Sequence, residues 1–498
     1  MIRKYLAVSF ILIGFQAYSQ QDPVAVKYAT TITTEDLKEN LSIIASDAME
    51  GRETGKRGQK MAAAFIASYF EELGLTTPVN GSFYQPVPLF SAGVPVVTLK
   101  SGSMEFTREE YMYTGSLATA GLVDVPLLFV GEGAEEEIKS VDVKGKAVMF
   151  LLDPGASVMN NPSIRAMRDQ GASMVFAVIE KEDDFKRTTS MIRGFAGGRL
   201  SLTKQPNQTG NTGVFYLSAQ AAGKIFKTTY DKLKKASTDK KLDKIKPSVV
   251  SYSIEQVYGE IKSENILGFM EGSDKKDEVL VITAHYDHIG ISSRAEGDKI
   301  NNGADDDGSG TVAVLAMAKA FVQAKKDGEG PRRSILFMTV TGEEKGLLGS
   351  RYYTDNNPVY PLSSTIANLN IDMIGRRDPN HKGSAPYVYV IGSDKLSSDL
   401  HTLSESTNKT YTNLIFDYTY NDENHPERIY YRSDHWNFAK NNIPIIFYFD
   451  GVHEDYHKPS DEVDKIEFDL LSLRTKAVFH TAWEIANRDS RLAVDRKK

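Results

Sequence analysis

Five short segments of the chain carry two histidines and three carboxylates of the kind that bind metal ions. The segments are AHYDH, GADDDGSG, TGEEKG, NIDMIG and DYHKPSD, and they contain His285, Asp306, Glu344, Asp372 and His457. Imidazole nitrogens and carboxylate oxygens both bind zinc, and a catalytic zinc keeps one position open for water. Two Zn²⁺ ions would be balanced by these three carboxylates and one hydroxide, so the cluster can lie in a partly buried cleft. The sequence therefore predicts two Zn²⁺ per chain.

Strand-like runs precede the candidate ligands of four of these segments. They cover residues 279–284, 335–340, 366–371 and 445–449, and residues 279–284 are nearly all apolar. Runs that are apolar throughout are typical of strands buried on both faces, as in parallel sheets. Open α/β sheets hold their sites just beyond the carboxyl ends of such strands. We therefore expect an α/β fold in which a mostly parallel central sheet, flanked by helices, brings the candidate ligands to one edge.

All five motifs, in this order, resemble those of the co-catalytic two-zinc aminopeptidase family. That family also includes glutamate carboxypeptidase II, the transferrin receptor and the glutaminyl cyclases. The resemblance implies that His285, Glu344, His457 and Asp372 are terminal ligands divided between two zinc ions, and that Asp306 bridges both ions. It also implies a cis peptide bond directly after Asp306.

The resemblance extends to residues that would act beside the metals. Glu343 would be the general base, and Asp287 would hydrogen-bond the ring of His285 and fix its tautomer. Tyr456 is a candidate for binding the substrate in the tetrahedral intermediate. His288 and His453 are interpreted as supporting residues and not as ligands. The segment Arg432 to His435 resembles a family loop beside the substrate cleft, without individual roles.

The resemblance implies a zinc-dependent exopeptidase, first of all an aminopeptidase that acts on peptides with a free N-terminus. In this reading Glu343 activates a hydroxide bound by both zinc ions. Three alternatives stay open: a carboxypeptidase of the same family, a one-zinc transferase similar to glutaminyl cyclase, and a binding protein without chemistry. A carboxypeptidase for acidic residues needs a basic pocket, for which Arg376, Arg377 and Arg432 are possible donors. The intact ligand set favours the aminopeptidase.

Composition and the N-terminal segment bear on partners and location. The net charge of −7 argues against a nucleic-acid partner, and the absence of cysteine excludes disulfides and thiolate zinc ligands. Arg3 and Lys4 precede an apolar run over residues 5–15, and small residues follow at Ala17 and Ser19. This pattern predicts a cleaved signal peptide over residues 1–19 and export to the periplasm or beyond. The run is too short to span a membrane.

The distribution of motifs predicts how the rest of the chain is divided. Residues 20–95 would form the N-terminal part of the peptidase domain, because GRETGKRG and the helical pattern after it resemble a family segment. Residues 253–498 would form its catalytic part. Residues 96–252 contain no candidate ligand motif, and VDVKGKAVMF resembles the protease-associated domain often inserted in this family. The resemblance therefore implies a β-rich inserted domain over 96–252.

Overall fold

The computed structural model describes residues 21–156, 158, 161–196, 200–204, 212–293 and 295–496. The predicted signal peptide, residues 1–19, lies outside these ranges. Among the helices of the described ranges, none has the length and apolar character needed to cross a membrane.

The helices and strands alternate along most of the chain. The helices are α1 Pro23–Ala29, α2 Thr34–Ile44, α3 Arg57–Leu73, α4 Glu135–Lys139, α5 Pro162–Asp169, α6 Glu182–Ala196, α7 Ala219–Ile225, α8 Tyr230–Thr238, α9 Gly310–Lys326, α10 Leu348–Arg351, α11 Ser398–Tyr411, α12 His435–Ala439 and α13 Phe468–Asn487. The strands are β1 Tyr84–Ala92, β2 Val96–Ser101, β3 Met104–Glu105, β4 Tyr111–Thr114, β5 Val123–Phe129, β6 Ala147–Leu151, β7 Met174–Ile179, β8 Leu200–Ser201, β9 Gly213–Ser218, β10 Ser248–Glu255, β11 Tyr258–Met270, β12 Lys275–His285, β13 Arg333–Val340, β14 Thr365–Ile371, β15 Tyr387–Ile391, β16 Ile415–Asp417 and β17 Ile445–Phe449. Short helical turns lie at Asp47–Arg52, Leu242–Lys244, Ala304–Ser309, Tyr352–Asn356, Leu362–Ser364, Pro379–His381, Thr419–Asn421, Ile429–Tyr431 and Val463–Lys465.

The chain folds into two compact units. One contains the residues up to Val87 and those from Ser263 onward, and the other is Pro88–Lys262. The candidate ligands all belong to the first unit. The assignment of residues 96–252 to a protease-associated domain stays a prediction.

The sheet of the first unit is mixed, with a parallel centre. Strands β17, β14, β12 and β13 lie side by side in this order and run parallel. Strand β11 pairs antiparallel with β13, and β15 pairs antiparallel with β17. The mostly parallel sheet expected from the sequence is therefore present at the centre and not at the flanks. Strand β11 reverses because only residues 271–274 separate it from β12, which is too short for a parallel crossover.

Both faces of this sheet are buried, as the apolar strands require. Along β12, Leu280 and Ile282 pack into one core with helices α9 and α13, whereas Val279 and Val281 pack into a second core on the opposite face. Side chains on a strand alternate between the two faces, so each face receives every second residue. On the helical side, Phe321 of α9 stacks on Trp483 of α13 with ring centroids 5.7 Å apart.

The second unit has a mixed sheet and a core of its own. Strands β5, β6, β7 and β9 are parallel neighbours, β10 pairs antiparallel with β5 and β2, and β4 pairs antiparallel with β9. Alternate residues of β6 enter separate apolar clusters on the two faces, with Met149 in one and Phe150 in the other. Phe176 stacks on Phe215 at 4.8 Å between ring centroids. This unit therefore carries the hydrophobic core that an independent fold requires.

Candidate metal centre and active site

The parallel strands bring the five candidate ligands to one edge of the sheet. His285 is the last residue of β12, and Asp372 directly follows β14. Glu344 lies just beyond β13, and His457 lies in the loop after β17. Asp306 lies in the turn Ala304–Ser309 that precedes α9. Neighbouring parallel strands end at the same edge, which is why residues so distant in sequence meet there.

The carboxylate of Asp306 separates two groups of possible ligand atoms. Its Oδ1 lies 3.2 Å from His285 Nε2, and its Oδ2 lies 3.1 Å from His457 Nε2. Asp372 Oδ1 is 3.5 Å from His285 Nε2, and Glu344 Oε2 is 3.2 Å from His457 Nε2. Ligands of a tetrahedral zinc with bonds near 2.1 Å lie about 3.4 Å apart. The donor atoms therefore have the spacing that two zinc ions sharing Asp306 require.

The bond that orients the ring of His285 differs from the expected one. His285 Nδ1 lies 3.0 Å from the backbone carbonyl of Asp287, not from its carboxylate. A carbonyl oxygen only accepts, so Nδ1 carries the proton and Nε2 presents its lone pair toward Asp306 and Asp372. This tautomer suits a metal ligand. The sequence analysis expected the carboxylate of Asp287 to fix it, whereas the backbone carbonyl of Asp287 does so.

The carboxylate of Asp287 is directed to other partners. Its Oδ2 accepts a hydrogen bond of 2.6 Å from the hydroxyl of Thr54, and its Oδ1 accepts one of 3.2 Å from the backbone N–H of Glu343. Asp287 bonds to the ring of His285 through its backbone carbonyl, whereas its two carboxylate oxygens bond to these donors. Asp287 therefore acts on the segment that carries Glu343.

Glu343 lies beside the candidate ligands. Its side chain lines a pocket together with His285, Asp306 and Asp372. Burial and the nearby carboxylates of Glu344 and Asp372 raise the pKa of Glu343 well above its usual value, against the opposing effect of His285. A carboxylate with a raised pKa is a stronger base than an ordinary carboxylate.

Asp307 lies close enough to the cluster to be considered as a ligand. His285, Asp307 and Asp372 each offer one possible ligand atom, and these three atoms lie within 4.8 Å of one another. Its oxygens, however, accept backbone N–H bonds from His285, Gly310 and Met373 at 3.0, 2.9 and 3.1 Å. A Cβ on Gly310 would lie 2.3 Å from Asp307 Oδ1, so only glycine permits this approach. Asp307 therefore joins the ligand-bearing loops, and the peptide bond between Asp306 and Asp307 is cis.

His288 is the second residue that competes with the predicted set. It groups with Asp306 and Glu344 within the same 4.8 Å limit. Its Nδ1 lies 2.9 Å from Glu344 Oε1 and 3.8 Å from Asp306 Oδ2, and its side chain is fully buried. His457 is closer to Asp306, although 37% of its side chain is exposed. The choice between the two histidines stays a prediction.

A buried polar layer contacts Asp305 and the backbone of Asp306. Asp461 accepts backbone N–H bonds of 3.1 Å from both Asp305 and Asp306. His453 Nε2 lies 3.2 Å from Asp305 Oδ2, while its Nδ1 accepts the N–H of Asp455. His453 therefore lies within ion-pair distance of Asp305. The sequence did not indicate this layer, because its members lie in loops more than 140 residues apart.

Ser433 is a further contact that sequence reasoning did not assign. Its hydroxyl donates to Asp372 Oδ2 at 2.7 Å and accepts from Asn370 Nδ2 at 2.9 Å. The signal was present in Asn370, an amide in the fully buried strand β14, because buried amides need partners.

The pocket beside the candidate metal centre combines charged residues with an apolar wall. Beyond the acidic residues and His285, it is lined by Met373, Ile429, Arg432, Ser433, Phe447, Phe449, Val452 and Tyr456. The ring of Tyr456 stacks on that of His457 with centroids 3.9 Å apart. Of the three arginines considered for a basic pocket, Arg376 and Arg377 bond to Asp455 and Glu467, and Arg432 lines the pocket.

Comparison with known proteins agrees with this architecture. Residues 265–482 match the model of peptidase family M28. Aminopeptidase YwaD of Bacillus subtilis (strain 168) is 27% identical over 236 residues, 46% of this chain and 46% of that protein. A probable leucine aminopeptidase of Arthroderma otae is 29% identical over 239 residues, 47% of this chain and 60% of that protein. The chain thus spans about half the length of the curated relatives it matches.

Solved structures share the fold. An aminopeptidase from Aneurinibacillus sp. strain AM-1 superposes with a TM-score of 0.52 at 18% identity, covering 95% of this chain and 98% of that chain. BSAP, a zinc aminopeptidase from Bacillus subtilis, gives 0.50 at 20% identity, covering 92% and 96%. Fold and site together define an α/β protein with a candidate two-metal centre at the carboxyl edge of its sheet. Residues 265–482, which carry the candidate metal centre, are similar to peptidase family M28.

Proposed function

We propose that the protein is an exported zinc-dependent aminopeptidase that removes N-terminal residues from peptides. The observation that carries this proposal is the position of Asp306, whose two oxygens face two different histidines at 3.2 and 3.1 Å. A carboxylate in this position suits two metal ions. Export rests on the predicted signal peptide.

The residues fit zinc in both halves of the centre. His285, Asp306 and Asp372 would hold one ion, and Asp306, Glu344 and His457 would hold the other. Nitrogen and oxygen ligands of this kind suit zinc in enzymes. When bound, zinc ions polarise a carbonyl group and lower the pKa of water toward 7.

Glu343 is the residue to which we assign the proton transfers. Its raised pKa and its place in the pocket support a carboxylate that accepts the proton of the attacking water. The same group then delivers that proton to the leaving amine, since the carboxylic acid formed in the first step is the donor needed in the second. Tyr456, in the same pocket, is proposed to contact the substrate.

The substrate class is supported by the relatives and by the pocket. The relatives compared here are named aminopeptidases. The pocket walls formed by Ile429, Phe447 and Phe449 are apolar, which favours peptides with an apolar first residue.

The first test compares amino-acid 4-nitroanilides with their N-acetylated forms, with zinc counted by mass spectrometry on the same sample. We expect cleavage of the free amines alone and two zinc ions per chain. Glu343→Gln keeps the size of the side chain and should lower kcat by about 10²-fold to 10⁴-fold at unchanged zinc content. Glu454→Gln, an exposed change on the loop of His457, is the matched control and should alter neither value.

Three outcomes would contradict the proposal. Cleavage of acetylated and free substrates at equal rates would exclude an aminopeptidase. Full activity of Glu343→Gln would remove Glu343 from the proton-transfer role. A single zinc per chain would favour the transferase alternative.

A further inference from the structure

The segment Gly51–Thr54 lies against the chain directly after the end of β12. The backbone N–H of His288 donates to the carbonyl of Arg52 at 3.1 Å, and that of Gly290 donates to Gly51 at 2.9 Å. Glu53 and His288 form a parallel bridge. The segment therefore adds a short strand beside the residues that follow His285.

Arg52 is fully buried in this arrangement and bonds to backbone carbonyls on three sides. Its Nε donates to Tyr286 at 2.8 Å, Nη1 to Ile44 at 2.8 Å and to Asn302 at 2.6 Å, and Nη2 to Gly303 at 2.9 Å. Tyr286 follows His285, and Gly303 begins the turn that carries Asp306. One guanidinium group thus fixes the distance between two loops that supply ligands.

The charge of Arg52 is placed beside the acidic centre. Its four hydrogen bonds go to neutral carbonyls, and the carboxylates that act on it through space belong to Asp306, Asp461, Asp307 and Asp287. A buried charge is costly unless opposite charge compensates it. Arg52 and the carboxylates of the centre therefore lower each other's cost of burial.

Thr54 connects the same segment to Glu343. Its hydroxyl donates to Asp287 Oδ2 at 2.6 Å, and Asp287 Oδ1 accepts the backbone N–H of Glu343 at 3.2 Å. Asp287 is fully buried, so each of its two oxygens depends on such a donor. The position of the segment carrying Glu343 thus depends on a residue near the N-terminus.

The backbone of the segment is held in an unusual conformation. Glu50, Gly51 and Arg52 have φ values of 52°, 64° and 49°. A Cβ on Gly51 would lie 2.5 Å from the carbonyl oxygen of Asn301. Residues other than glycine persist in this region only where the surrounding structure enforces it, and such positions concentrate at functional sites.

We propose that Gly51–Thr54 is a clamp that positions the metal centre from outside the catalytic half of the chain. In this arrangement Arg52 sets the spacing of the His285 and Asp306 loops, and Thr54, through Asp287, orients Glu343. Both residues are positioning residues. The Thr54 part rests on the proposed function, whereas the Arg52 part requires only that the centre binds zinc.

The Arg52 part is tested by zinc binding without substrate. Arg52→Lys keeps the charge but loses the planar fork, and Arg52→Met loses both. We expect the zinc dissociation constant, measured by chelator competition, to rise about 10-fold to 100-fold, with the larger rise in Arg52→Met. The control is Arg57→Met. Arg57 is exposed and pairs with Glu50, so its replacement should leave the zinc dissociation constant at the wild-type value.

A role in packing alone would give a different result. It would lower the thermal midpoint of the metal-free protein while leaving the zinc dissociation constant unchanged, and that result would overturn the Arg52 part. If Arg52→Met does not fold, the zinc dissociation constant of Arg52→Lys decides this part. A wild type that binds no zinc would instead contradict the proposed function.

The Thr54 part is tested by a pair of variants that differ in one hydroxyl group. Thr54→Val removes the donor at nearly constant volume, and Thr54→Ser keeps it. We expect Thr54→Val to lower kcat about 10-fold with KM and zinc content unchanged, and Thr54→Ser to restore kcat. Equal kcat in both variants, or a loss of zinc in Thr54→Val alone, would show that Thr54 does not act on Glu343.

Discussion

At the scale of single residues, the carboxylate of Asp306 is shared by both halves of the candidate centre. Its two oxygens are used on opposite sides, so an amide in its place would present an N–H to one of the two histidines. The neighbouring carboxylates face the same small volume, which in the absence of cations would be a strongly repulsive arrangement. Zinc on one side and Arg52 on the other supply the compensating charge in our proposals.

The predicted ligand set can be tested at His457 and His288, which approach Glu344 from different sides. We expect His457→Ala to hold one zinc per chain and His288→Ala to hold two, because His457 Nε2 is 3.1 Å from Asp306 Oδ2 and His288 Nδ1 is 3.8 Å away. Zinc per chain would be measured by mass spectrometry after dialysis at a fixed free zinc concentration. The reverse pattern would make His288 the ligand.

At the scale of elements, the sequence predicted those strands whose burial leaves a continuous apolar run. The runs at 279–284 and 445–449 became β12 and β17, and the ligands follow them. The antiparallel flanks were not predictable in the same way, because pairing direction depends on which strands become neighbours. The contacts of Gly51–Thr54 could not be predicted from the sequence for a related reason. Arg52 and Tyr286 are 234 positions apart, and Arg52 bonds to a backbone carbonyl, which no sequence pattern marks.

Helix α12 provides a prediction for the pH dependence of stability. It begins at His435, whose ring stacks on Phe447 of β17 at 4.6 Å and donates through Nε2 to the carbonyl of Tyr430. Burial lowers the pKa of His435 to about 3. In the unfolded chain the imidazole of His435 has a pKa near 6.5. Between about pH 6.5 and 3 this imidazole therefore binds a proton in the unfolded chain but not in the folded protein. The stabilisation is therefore complete above pH 6.5 and is lost as the pH falls toward 3.

His435→Gln keeps an N–H donor and removes the titration. We expect its free energy of unfolding to fall less steeply between pH 6.5 and 4.5, by up to about 1.4 kcal/mol per pH unit relative to the wild type. Urea unfolding at several pH values gives the two slopes. Burial also lowers the pKa of His480, to about 4. His480 therefore makes the free energy of unfolding fall with pH in the same way, and this part of the slope remains in His435→Gln. Parallel slopes would show that His435 is not the titrating group.

At the scale of the whole molecule, the candidate ligands all lie in one of two compact units. The sequence located the boundary at 96 and 252 from the lack of ligand motifs, whereas the structure divides the chain at Pro88 and Lys262. The difference arises because β1 and β11 continue across the boundary, and a strand gives no sequence signal where it changes unit. The function of the second unit stays open to experiment.

Separate cores in the two units predict two thermal transitions with different responses to zinc. A ligand stabilises only the unit that binds it, by about 2.7 kcal/mol at a hundredfold excess over its dissociation constant. The unit that carries the candidate ligands has roughly 300 residues, and for a unit of that size 1 kcal/mol shifts the midpoint by about 1.6 °C. We therefore expect chelation to lower one calorimetric midpoint by about 4 °C and to leave the other unchanged. Phe176→Leu, in the core of the second unit, should lower only the zinc-insensitive midpoint. A single transition that shifts as a whole with both changes would show that the units unfold together.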